Sequence, residues 1–357
     1  MTVLSVLPYP IHVRRGALQS VAEIAAATAP AHAYALISDT NVAPRYAASV
    51  ARSLAPRRVQ LFVVEAGEAH KTRESWARLT DEMLAAGFGR DSAVVALGGG
   101  VVGDLAGFVA ATYMRGVPYL QLPTSLLAMI DASVGGKTGV DTPAGKNLVG
   151  AFHPPAAVVV DPSVLASLPP AHLRAACAEA IKHGVVADAP YFDRLNDQLP
   201  ALLGGAAPEV IDALIIDSIA IKADVVRRDE RESGLRKILN FGHTIGHAVE
   251  ALDGFRMLHG EAVSIGMALE SRLAERAGIA EPGTANRVTA ALRRAGLPVE
   301  RPRTMDSQRI LAATRSDKKA RAGAVEYALP ACIGRMAGDR SGWSVRVDDA
   351  LVREVLA

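Results

Sequence analysis

Short apolar segments alternate with amphipathic segments through the first half of the chain, and this alternation limits the folds that it can adopt. Residues 73–86 have helical spacing, with large apolar side chains on one side. The apolar segments with the length of buried strands are residues 33–38, 58–64, 93–97, 119–122 and 157–160. Strands that alternate with helices predict a parallel sheet with helices on its faces.

The pattern changes at Leu168-Pro169-Pro170, after which helical periodicity dominates. The segments with helical spacing are residues 171–185, 208–228, 243–252, 261–277 and 284–295. We therefore predict an α/β N-terminal domain over residues 1–168 and an all-α C-terminal domain over residues 169–357.

Charge and composition exclude several classes of protein. The net charge is +2 and the charged residues are well mixed, whereas a nucleic-acid-binding surface would need clustered Lys and Arg. No apolar segment approaches the ~20 residues of a membrane span, and no secretory signal opens the chain. The two cysteines, Cys177 and Cys332, are far apart and form no motif. We therefore expect a cytoplasmic protein with no membrane or nucleic-acid partner.

A glycine-rich turn follows the apolar segment 93–97. Gly98, Gly100 and Gly103 fit the pattern G-x-G-x-x-G and precede an apolar segment with the character of a helix. Glycines let the backbone approach a diphosphate, and the N-terminus of a helix offers free N–H groups and a positive dipole. The turn therefore indicates a nucleotide-binding domain, although bare connections between strand and helix can also be rich in glycine.

A dinucleotide also needs an acid for its ribose, and the strand after the turn lacks one at its end. Residues 119–122 run into Pro123-Thr124-Ser125 instead. Asp39, at the end of an earlier strand, can supply the acid if the strand order differs from the standard one. Asp39 can equally be a turn or helix-capping residue in Ser38-Asp39-Thr40-Asn41, so the residues alone leave both interpretations open.

Three histidines fall within 17 positions, although the chain has only nine. His243 and His247 are four residues apart and share one face of a helix, and His259 follows closely. Neutral imidazole is the commonest metal ligand in proteins. The cluster therefore indicates a metal or catalytic site, and spacing alone would select His243 with His247 as ligands.

Lysines beside glycines or acids recur along the chain. Examples are Gly135-Gly136-Lys137, Gly145-Lys146-Asn147 and the helical face shared by Glu179 and Lys182. Most Lys and Arg side chains are solvated surface charges, but glycine-flanked lysines in loops have room for a ligand. Together they indicate an anionic substrate that carries phosphate and carboxylate groups.

The long motifs resemble those of the 3-dehydroquinate synthase family. The resemblance covers residues 36 to 335 and rests on the turn at 98–104, DASVGGKTGVD at 131–141, GKNLVGAF at 145–152, EAIKHG at 179–184, LRKILNFGHTIGH at 235–247, LHGEAVSIGM at 258–267 and Asp317-Lys318-Lys319. It implies a dehydroquinate synthase-like fold, with an NAD-binding α/β domain and a helical domain that binds metal and substrate.

The resemblance also implies the chemistry. It predicts a phosphate-eliminating carbon–oxygen lyase of the shikimate pathway that depends on NAD and on zinc or cobalt. The implied substrate is 3-deoxy-arabino-heptulosonate 7-phosphate and the product is 3-dehydroquinate. The implied steps are transient oxidation by NAD, elimination of phosphate, re-reduction, ring opening and an intramolecular aldol reaction.

Site residues carry over onto the matching positions. The metal ligands implied by the resemblance are Glu179, His243 and His259, so His247 faces the substrate instead of the ion. The implied catalytic residues are Lys137, Lys182, Lys222, Arg236, Asn240 and His247, and the implied substrate-binding residues are Arg115, Asp131, Lys146, Asn147 and Lys318 or Lys319. The implied NAD contacts are Asp39, Asn41, Glu68, Lys71, Gly100, Val101, Val102, Gly103, Asp104, Thr124, Ser125, Lys137 and Lys146. Arg115 matches an arginine that reaches the neighbouring subunit's site, which implies a homodimer.

Two alternatives remain at this point. His183 stands where the family often has Tyr, four residues after Glu179, and is a candidate fourth ligand. A rival function is another sugar-phosphate cyclase, whose substrate would lack the carboxylate that Arg236 and the lysine pair suit. A polyol dehydrogenase or a binding module without catalysis explains the dense cations and the metal motif less well.

Overall fold

The computed structural model describes residues 2–205, 207–316, 325–339 and 341–357. Its chain divides into two compact units, Met1–Leu168 and Pro169–Ala357. The first unit combines a mostly parallel sheet with helices, and the second is mostly helical. The predicted fold class, an α/β N-terminal domain followed by a helical one, is confirmed.

The first unit is built on one large sheet. The strands of the whole unit are β1 (Thr2–Leu4), β2 (Ile11–Val13), β3 (Ala33–Asp39), β4 (Arg58–Val64), β5 (Ser92–Gly98), β6 (Tyr119–Pro123), β7 (Lys137–Thr142), β8 (Gly145–Phe152) and β9 (Ala157–Val160). Within residues 2–168, all of them described, seven strands join in the order β1-β2-β9-β6-β5-β3-β4, and only β1 runs antiparallel to its neighbour. The strands β3 and β5 are therefore adjacent, and their carboxyl ends meet at one edge.

The helices of this unit follow the strands. They are α1 (Val21–Thr28), α2 (Ala43–Ser53), α3 (Arg73–Ala85) and α4 (Gly100–Thr112). β3 and β5 are buried along almost their whole length, as expected for parallel strands covered on both faces. Leu105, Ala106 and Val109 of α4 pack with Val94 and Ala96 of β5 in one apolar core. This packing fixes the start of α4 beside the end of β5.

The strands β7 and β8 form a hairpin that is a separate two-stranded sheet. β7 and β8 pair antiparallel, with Lys137 opposite Phe152 and Thr142 opposite Gly145. Glycines allow the two strands to lie close, because a Cβ on Gly150 would meet the Thr138 carbonyl oxygen at 2.1 Å. The sequence-based elements did not include this hairpin.

The second unit is mostly helical. Its helices are α5 (Pro170–Ala187), α6 (Ala189–Leu203), α7 (Pro208–Arg228), α8 (His243–Leu252), α9 (His259–Arg276), α10 (Thr284–Arg294), α11 (Ser307–Ser316) and α12 (Asp349–Leu356). Short strands add to it: β10 (Glu326–Tyr327) pairs with β13 (Val345–Arg346), and β11 (Pro330–Cys332) pairs with β12 (Arg335–Met336). In the part of the chain that the structure describes, no helix is long and apolar enough to cross a membrane.

Helices α8 and α9 pack unusually closely. Gly242, directly before α8, has a φ of 79°, a left-handed conformation that favours glycine. A Cβ on Gly266 of α9 would lie 1.9 Å from the Gly242 carbonyl oxygen, and one on Gly246 of α8 would lie 3.0 Å from the Ala262 carbonyl oxygen. The glycines therefore bring the two backbones together and fix the register of one helix on the other.

The start of α9 differs from the sequence-based prediction. The predicted helix began at residue 261, whereas α9 begins at His259. The Leu258 N–H donates to Glu261 Oε2 at 3.1 Å, so the Glu261 side chain satisfies a backbone donor at the helix end. This extension places His259 in the first turn of α9.

Candidate cofactor and metal sites

The residues assigned to NAD collect at one edge of the large sheet. β4, β3, β5 and β6 are parallel neighbours in that order, so their carboxyl ends lie side by side. The assigned residues that follow these four ends are Asp39, Asn41, Glu68, Lys71, Gly100, Val101, Val102, Gly103, Asp104, Thr124 and Ser125. The chain connects outward in both directions from β3 and β5, which makes this edge a topological switch point where ligands bind in open α/β sheets.

The start of α4 has the features of a diphosphate-binding turn. Gly99 precedes the helix and provides no side-chain cap, so first-turn N–H groups remain for a ligand. Gly103 sits against β6, where a Cβ would meet Gln121 Oε1 at 2.7 Å. The Thr124 N–H donates to the Gly98 carbonyl at 2.9 Å and ties the end of β6 to the turn. The residues present therefore fit an anion at this turn.

Asp39 is a turn residue in this structure. Its Oδ1 accepts hydrogen bonds from the N–H groups of Asn41 and Val42, at 2.8 and 2.9 Å. These bonds order the turn before α2. They engage Oδ1, so the turn function and a ribose contact through the carboxylate are compatible.

Lys71 is buried at the centre of a cluster of partly exposed charged side chains. Its ammonium is 2.9 Å from Glu68 Oε1, 3.2 Å from Asp104 Oδ2 and 3.7 Å from Asp141 Oδ1. Burial lowers the pKa of Lys71, but the three carboxylates outweigh burial and raise it above its ordinary value. Lys146 Nζ lies 3.6 Å from Glu68 Oε1. The cluster thus connects α4 to the β7–β8 hairpin, and Asp141 had no role in the sequence-based site.

The other assigned residues of the first unit lie on the β7–β8 hairpin, in the turn Ala128–Ala132 or directly after α4. Lys137 begins β7, and Lys146 and Asn147 lie on β8. Asn147 has a φ of 53°, and its N–H donates to Asp141 Oδ1 at 2.9 Å. Asp131 belongs to a short π-helical turn, Ala128–Ala132. Arg115 follows α4 with an exposed side chain and a φ of 70°, a backbone conformation uncommon for arginine.

The three predicted metal ligands meet in the second unit. His243 begins α8, His259 begins α9 and Glu179 lies in the middle of α5. The Nε2 atoms of His243 and His259 lie 3.6 and 3.7 Å from Glu179 Oε1, and one ligand atom from each of the three residues falls within 4.8 Å of the others. Zinc bonds of about 2.0–2.2 Å from two such ligands can bridge these gaps.

The other ring nitrogen of each histidine is held in place. His243 Nδ1 lies 3.1 Å from the Phe241 carbonyl oxygen, and His259 Nδ1 lies 3.5 Å from Glu250 Oε2. Because both partners can only accept, each Nδ1 donates, and the Nε2 atom that faces Glu179 is left as the ligand atom once the ring has lost its second proton to a metal ion. This is the arrangement of metal-binding histidines, and the donor set of one carboxylate and two imidazoles fits zinc or cobalt.

The electrostatics of the cluster favour a cation. Burial lowers the pKa of His259, but its hydrogen bonds with Glu179 and Glu250 and their charges outweigh burial and raise the pKa to about 9. Glu179 and Glu250 are at most 3% exposed. Two buried carboxylates around the imidazoles therefore attract positive charge, which either a proton or a metal ion can supply.

His247 and His183 lie beside this cluster in different settings. The ring of His247 lies 5.2 Å from that of His243 and 6.0 Å from that of His259, measured between centroids. His183 is fully buried on α5, and its Nδ1 lies 2.7 Å from Ser218 Oγ. A ring nitrogen of His183 comes within 4.8 Å of a carboxylate oxygen of Glu179. A fourth ligand at His183 stays an open prediction.

Buried cations are the second feature of this unit. Lys182, Lys222 and Arg236 are 2%, 7% and 2% exposed, although lysine and arginine side chains are rarely buried. The ammonium of Lys182 contacts Glu179. Burial of this many cations is costly for the fold alone, so the set is typical of an anion-binding site.

A short helical turn presents the remaining assigned residues. Arg236 and Asn240 lie in the 3₁₀ helix Leu235–Asn240. Asp229 holds the start of this turn, because its carboxylate accepts from the N–H groups of Gly234 and Arg236 at 2.7 and 3.0 Å. Asn240 Nδ2 donates to Glu232 Oε1 at 2.7 Å. Lys318 and Lys319 lie outside the residues that the structure describes.

Two glutamates of this unit were missed by the sequence analysis. Glu250 holds His259 Nδ1, and Glu270 accepts hydrogen bonds from the start of α8. Helical spacing could have found Glu250, which lies seven residues after His243 and three after His247 on one face. Glu270 carries no such signal, because its partner is the backbone of another helix.

Comparisons with known proteins agree with these features. Residues 61–175 match the 3-dehydroquinate synthase N-terminal family and residues 176–320 match the 3-dehydroquinate synthase C-terminal family. The 3-dehydroquinate synthase of Symbiobacterium thermophilum is 46% identical over 332 residues, which cover 92% of each chain. The one from Gloeobacter violaceus is 45% identical and covers 92% of this chain and 91% of its own.

Solved structures show the same fold. A 2-deoxy-scyllo-inosose synthase complexed with carbaglucose-6-phosphate, NAD+ and Co2+ has a TM-score of 0.90 at 25% identity, with 99% of this chain and 98% of that chain covered. A 2-epi-5-epi-valiolone synthase from Streptomyces hygroscopicus, with NAD+ and Zn2+ bound, has a TM-score of 0.85 at 30% identity, with coverage of 100% and 98%. The family matches span most of the chain, and the chain belongs to the 3-dehydroquinate synthase family.

Proposed function

We propose that this protein converts 3-deoxy-arabino-heptulosonate 7-phosphate to 3-dehydroquinate and phosphate, as a carbon–oxygen lyase of the shikimate pathway. The observation that carries the proposal is the approach of His243 and His259 to Glu179 beside the buried Lys182. A metal site next to a buried cation suits a substrate that is both a polyol and an anion. Relatives that are 44–48% identical to this chain are named 3-dehydroquinate synthases, which supports the proposal.

We assign the metal to Glu179, His243 and His259, and NAD to the residues at the carboxyl edge of the large sheet together with Lys137 and Lys146. Zinc or cobalt and NAD+ are present in solved cyclases of this fold, which supports both assignments. When bound, the ion supplies a Lewis acid for a substrate hydroxyl, and NAD+ supplies a hydride acceptor that is regenerated within the cycle.

The side chains of this chain then have distinct tasks. Lys182, Lys222 and Arg236 supply positive charge in surroundings that exclude water, where each charge acts more strongly than in bulk solvent. Asn240, in the 3₁₀ helix Leu235–Asn240, and His247, on α8, contribute further hydrogen-bonding groups. Asp131, Lys146, Asn147 and Lys318 or Lys319 are assigned to substrate binding. The departing phosphate can accept the proton that elimination releases, so the chain need not provide a strong base.

Substrate comparison tests the proposal. The protein should release phosphate from the heptulosonate phosphate and form a carbocyclic ketone. A hexose 6-phosphate, which lacks the carboxylate, should be a poor substrate. Preference for the hexose phosphate would favour the sugar-phosphate cyclases without a carboxylate, and steady NADH formation from an uncharged polyol would favour a dehydrogenase.

We expect NAD rather than NADP to restore activity to cofactor-free protein. Asp39 ends β3 at the carboxyl edge of the sheet. We assign it to the ribose hydroxyls, where its charge would repel a 2′-phosphate. The measurement is the rate regained with each dinucleotide. Asp39→Asn is the matched variant, because it keeps the Oδ1 acceptor of the turn while losing the charge, and it should narrow the preference for NAD. Equal restoration of the parent protein by both dinucleotides would contradict the assignment.

We also propose a homodimer in which Arg115 reaches the neighbouring subunit's site. Mixed dimers of Arg115→Ala and His243→Ala should regain activity, because one of their two sites combines an intact metal site with an intact arginine. The measurement compares co-refolded mixtures with each variant alone. A mixture of His243→Ala and Lys182→Ala is the control, since both changes damage a site in cis and should not complement. Failure of the first mixture to exceed its components would refute the trans role of Arg115.

A further inference from the structure

Helices α8 and α9 each carry a buried glutamate whose carboxylate contacts the first residues of the other helix, where the proposed metal ligand lies. Each helix begins with a proposed ligand, His243 on α8 and His259 on α9. Each helix also carries a glutamate that reaches the start of the other, Glu250 on α8 and Glu270 on α9. These two glutamates are 3% and 0% exposed. Buried carboxylates are uncommon and need compensating hydrogen bonds, so their placement calls for an explanation.

Glu270 caps the helix that carries His243. Its Oε2 accepts from the Gly242 N–H at 2.7 Å and its Oε1 accepts from the Ile245 N–H at 2.9 Å. Gly242 has no side chain with which to cap the helix. Glu270 therefore supplies the cap from another helix, and its negative charge interacts favourably with the positive end of the α8 dipole. Because His243 lies between the two bonded N–H groups, the carboxylate fixes the backbone of that ligand.

Glu250 orients the other histidine directly. Its Oε2 lies 3.5 Å from His259 Nδ1, and the Nε2 of the same ring lies 3.7 Å from Glu179 Oε1. A carboxylate on Nδ1 fixes the ring orientation and makes Nε2 a better ligand. Since Glu250 belongs to α8, the position of α8 determines the orientation of a ligand on α9.

We propose that Glu250 and Glu270 are positioning residues that form a reciprocal clamp, in which each helix fixes the metal-binding histidine of the other. The inference rests on the proposed metal site but not on the identity of the substrate. Close backbone contacts at Gly242, Gly246 and Gly266 leave α8 and α9 little freedom to slide, so the clamp acts on a rigid helix pair. Loss of either carboxylate should loosen one ligand while the fold persists.

The test measures zinc affinity of the metal-free protein by competition with a chelating dye. Glu270→Gln leaves a single oxygen for two N–H donors, and Glu250→Gln removes the charge from the bond to His259. We expect each change to weaken zinc binding by about 10- to 100-fold, the range found for partners that orient metal ligands. The visible absorption spectrum of the cobalt-loaded variants should also shift, because ligand geometry changes around the ion.

Ser264→Ala is the matched control. Ser264 is a fully buried residue of α9 whose hydroxyl donates to the Pro298 carbonyl at 2.7 Å, away from α8. Its loss should lower the melting temperature without changing zinc affinity or the cobalt spectrum. A general loss of stability would instead weaken zinc binding in all three variants alike, and that result would overturn the clamp.

Further outcomes distinguish a folding defect, failure of the clamp and failure of the proposed function. If Glu270→Gln yields no folded protein, Glu270→Asp and Glu250→Gln decide, and zinc affinity within about two-fold of the parent in both would refute the inference. Zinc binding that responds to the glutamates in a protein that releases no phosphate would reject the proposed function and keep the clamp. A parent protein that binds no zinc or cobalt would refute both.

Discussion

His243→Ala should abolish turnover and lower bound metal well below one ion per chain. The substitution removes one of three proposed ligands, whose Nε2 lies 3.6 Å from Glu179 Oε1. Loss of a partner outside the ligand shell costs about 10- to 100-fold in metal affinity, so loss of a ligand should exceed that range. The measurement is metal content after gel filtration, alongside phosphate release.

His247→Ala is the matched control for this experiment. His247 lies one turn further along α8, with its ring 5.2 Å from that of His243. It should retain the metal and lose rate, because we assign it to the substrate. Full metal occupancy in His243→Ala, or loss of metal in His247→Ala alone, would move the ligand assignment to the other histidine.

Arg236→Ala should lower kcat/KM for the heptulosonate phosphate by roughly thirty-fold to several thousand-fold. A guanidinium can bind a carboxylate through two parallel bonds, and removal of one partner from a desolvated pair costs about 2–5 kcal/mol. Arg236 is 2% exposed, so its guanidinium charge is shielded from water. Its backbone N–H donates to Asp229, which holds the residue in position before substrate binds. Arg236→Lys should recover only part of the loss, because an ammonium lacks the planar fork.

An analogue without the carboxylate separates this role from a structural one. Arg236 also donates to the Glu230 carbonyl, so its removal could disturb the loop. If the arginine binds the carboxylate, the parent protein and the Arg236→Ala variant should turn over the analogue at similar rates. The metal content of the variant should stay unchanged. An equal fall in rate for both compounds would mean that Arg236 stabilises the loop or binds the phosphate. A cyclase that acts on sugars without a carboxylate would then remain a candidate.

Local periodicity predicted the frame of the molecule well. The strand at residues 58–64 and the helices at residues 208–228 and 243–252 were predicted to the residue, because their apolar patterns end abruptly at turn-forming residues. The β7–β8 hairpin was missed, since its strands are rich in glycine and lack the alternation of apolar and polar residues that marks a half-buried strand. Glycine there serves close backbone contact, which has no periodic signature.

The candidate metal site shows where sequence spacing stops being informative. Spacing alone selected His243 with His247, because it detects only neighbours on one helix. His259 and Glu179 come from two other helices, and their approach depends on how α5, α8 and α9 pack. The family resemblance supplied that long-range information. Helical spacing could have indicated Glu250, whereas only packing revealed Glu270.

Counting turnovers per NAD molecule tests the central proposal most directly. Cofactor-free protein would receive zinc and a small measured amount of NAD+, followed by a large excess of the heptulosonate phosphate. The proposed reaction predicts phosphate and 3-dehydroquinate in equal amounts, many times the amount of NAD+, with no accumulation of NADH. NADH that rises in step with product, or substrate consumed without release of phosphate, would contradict it.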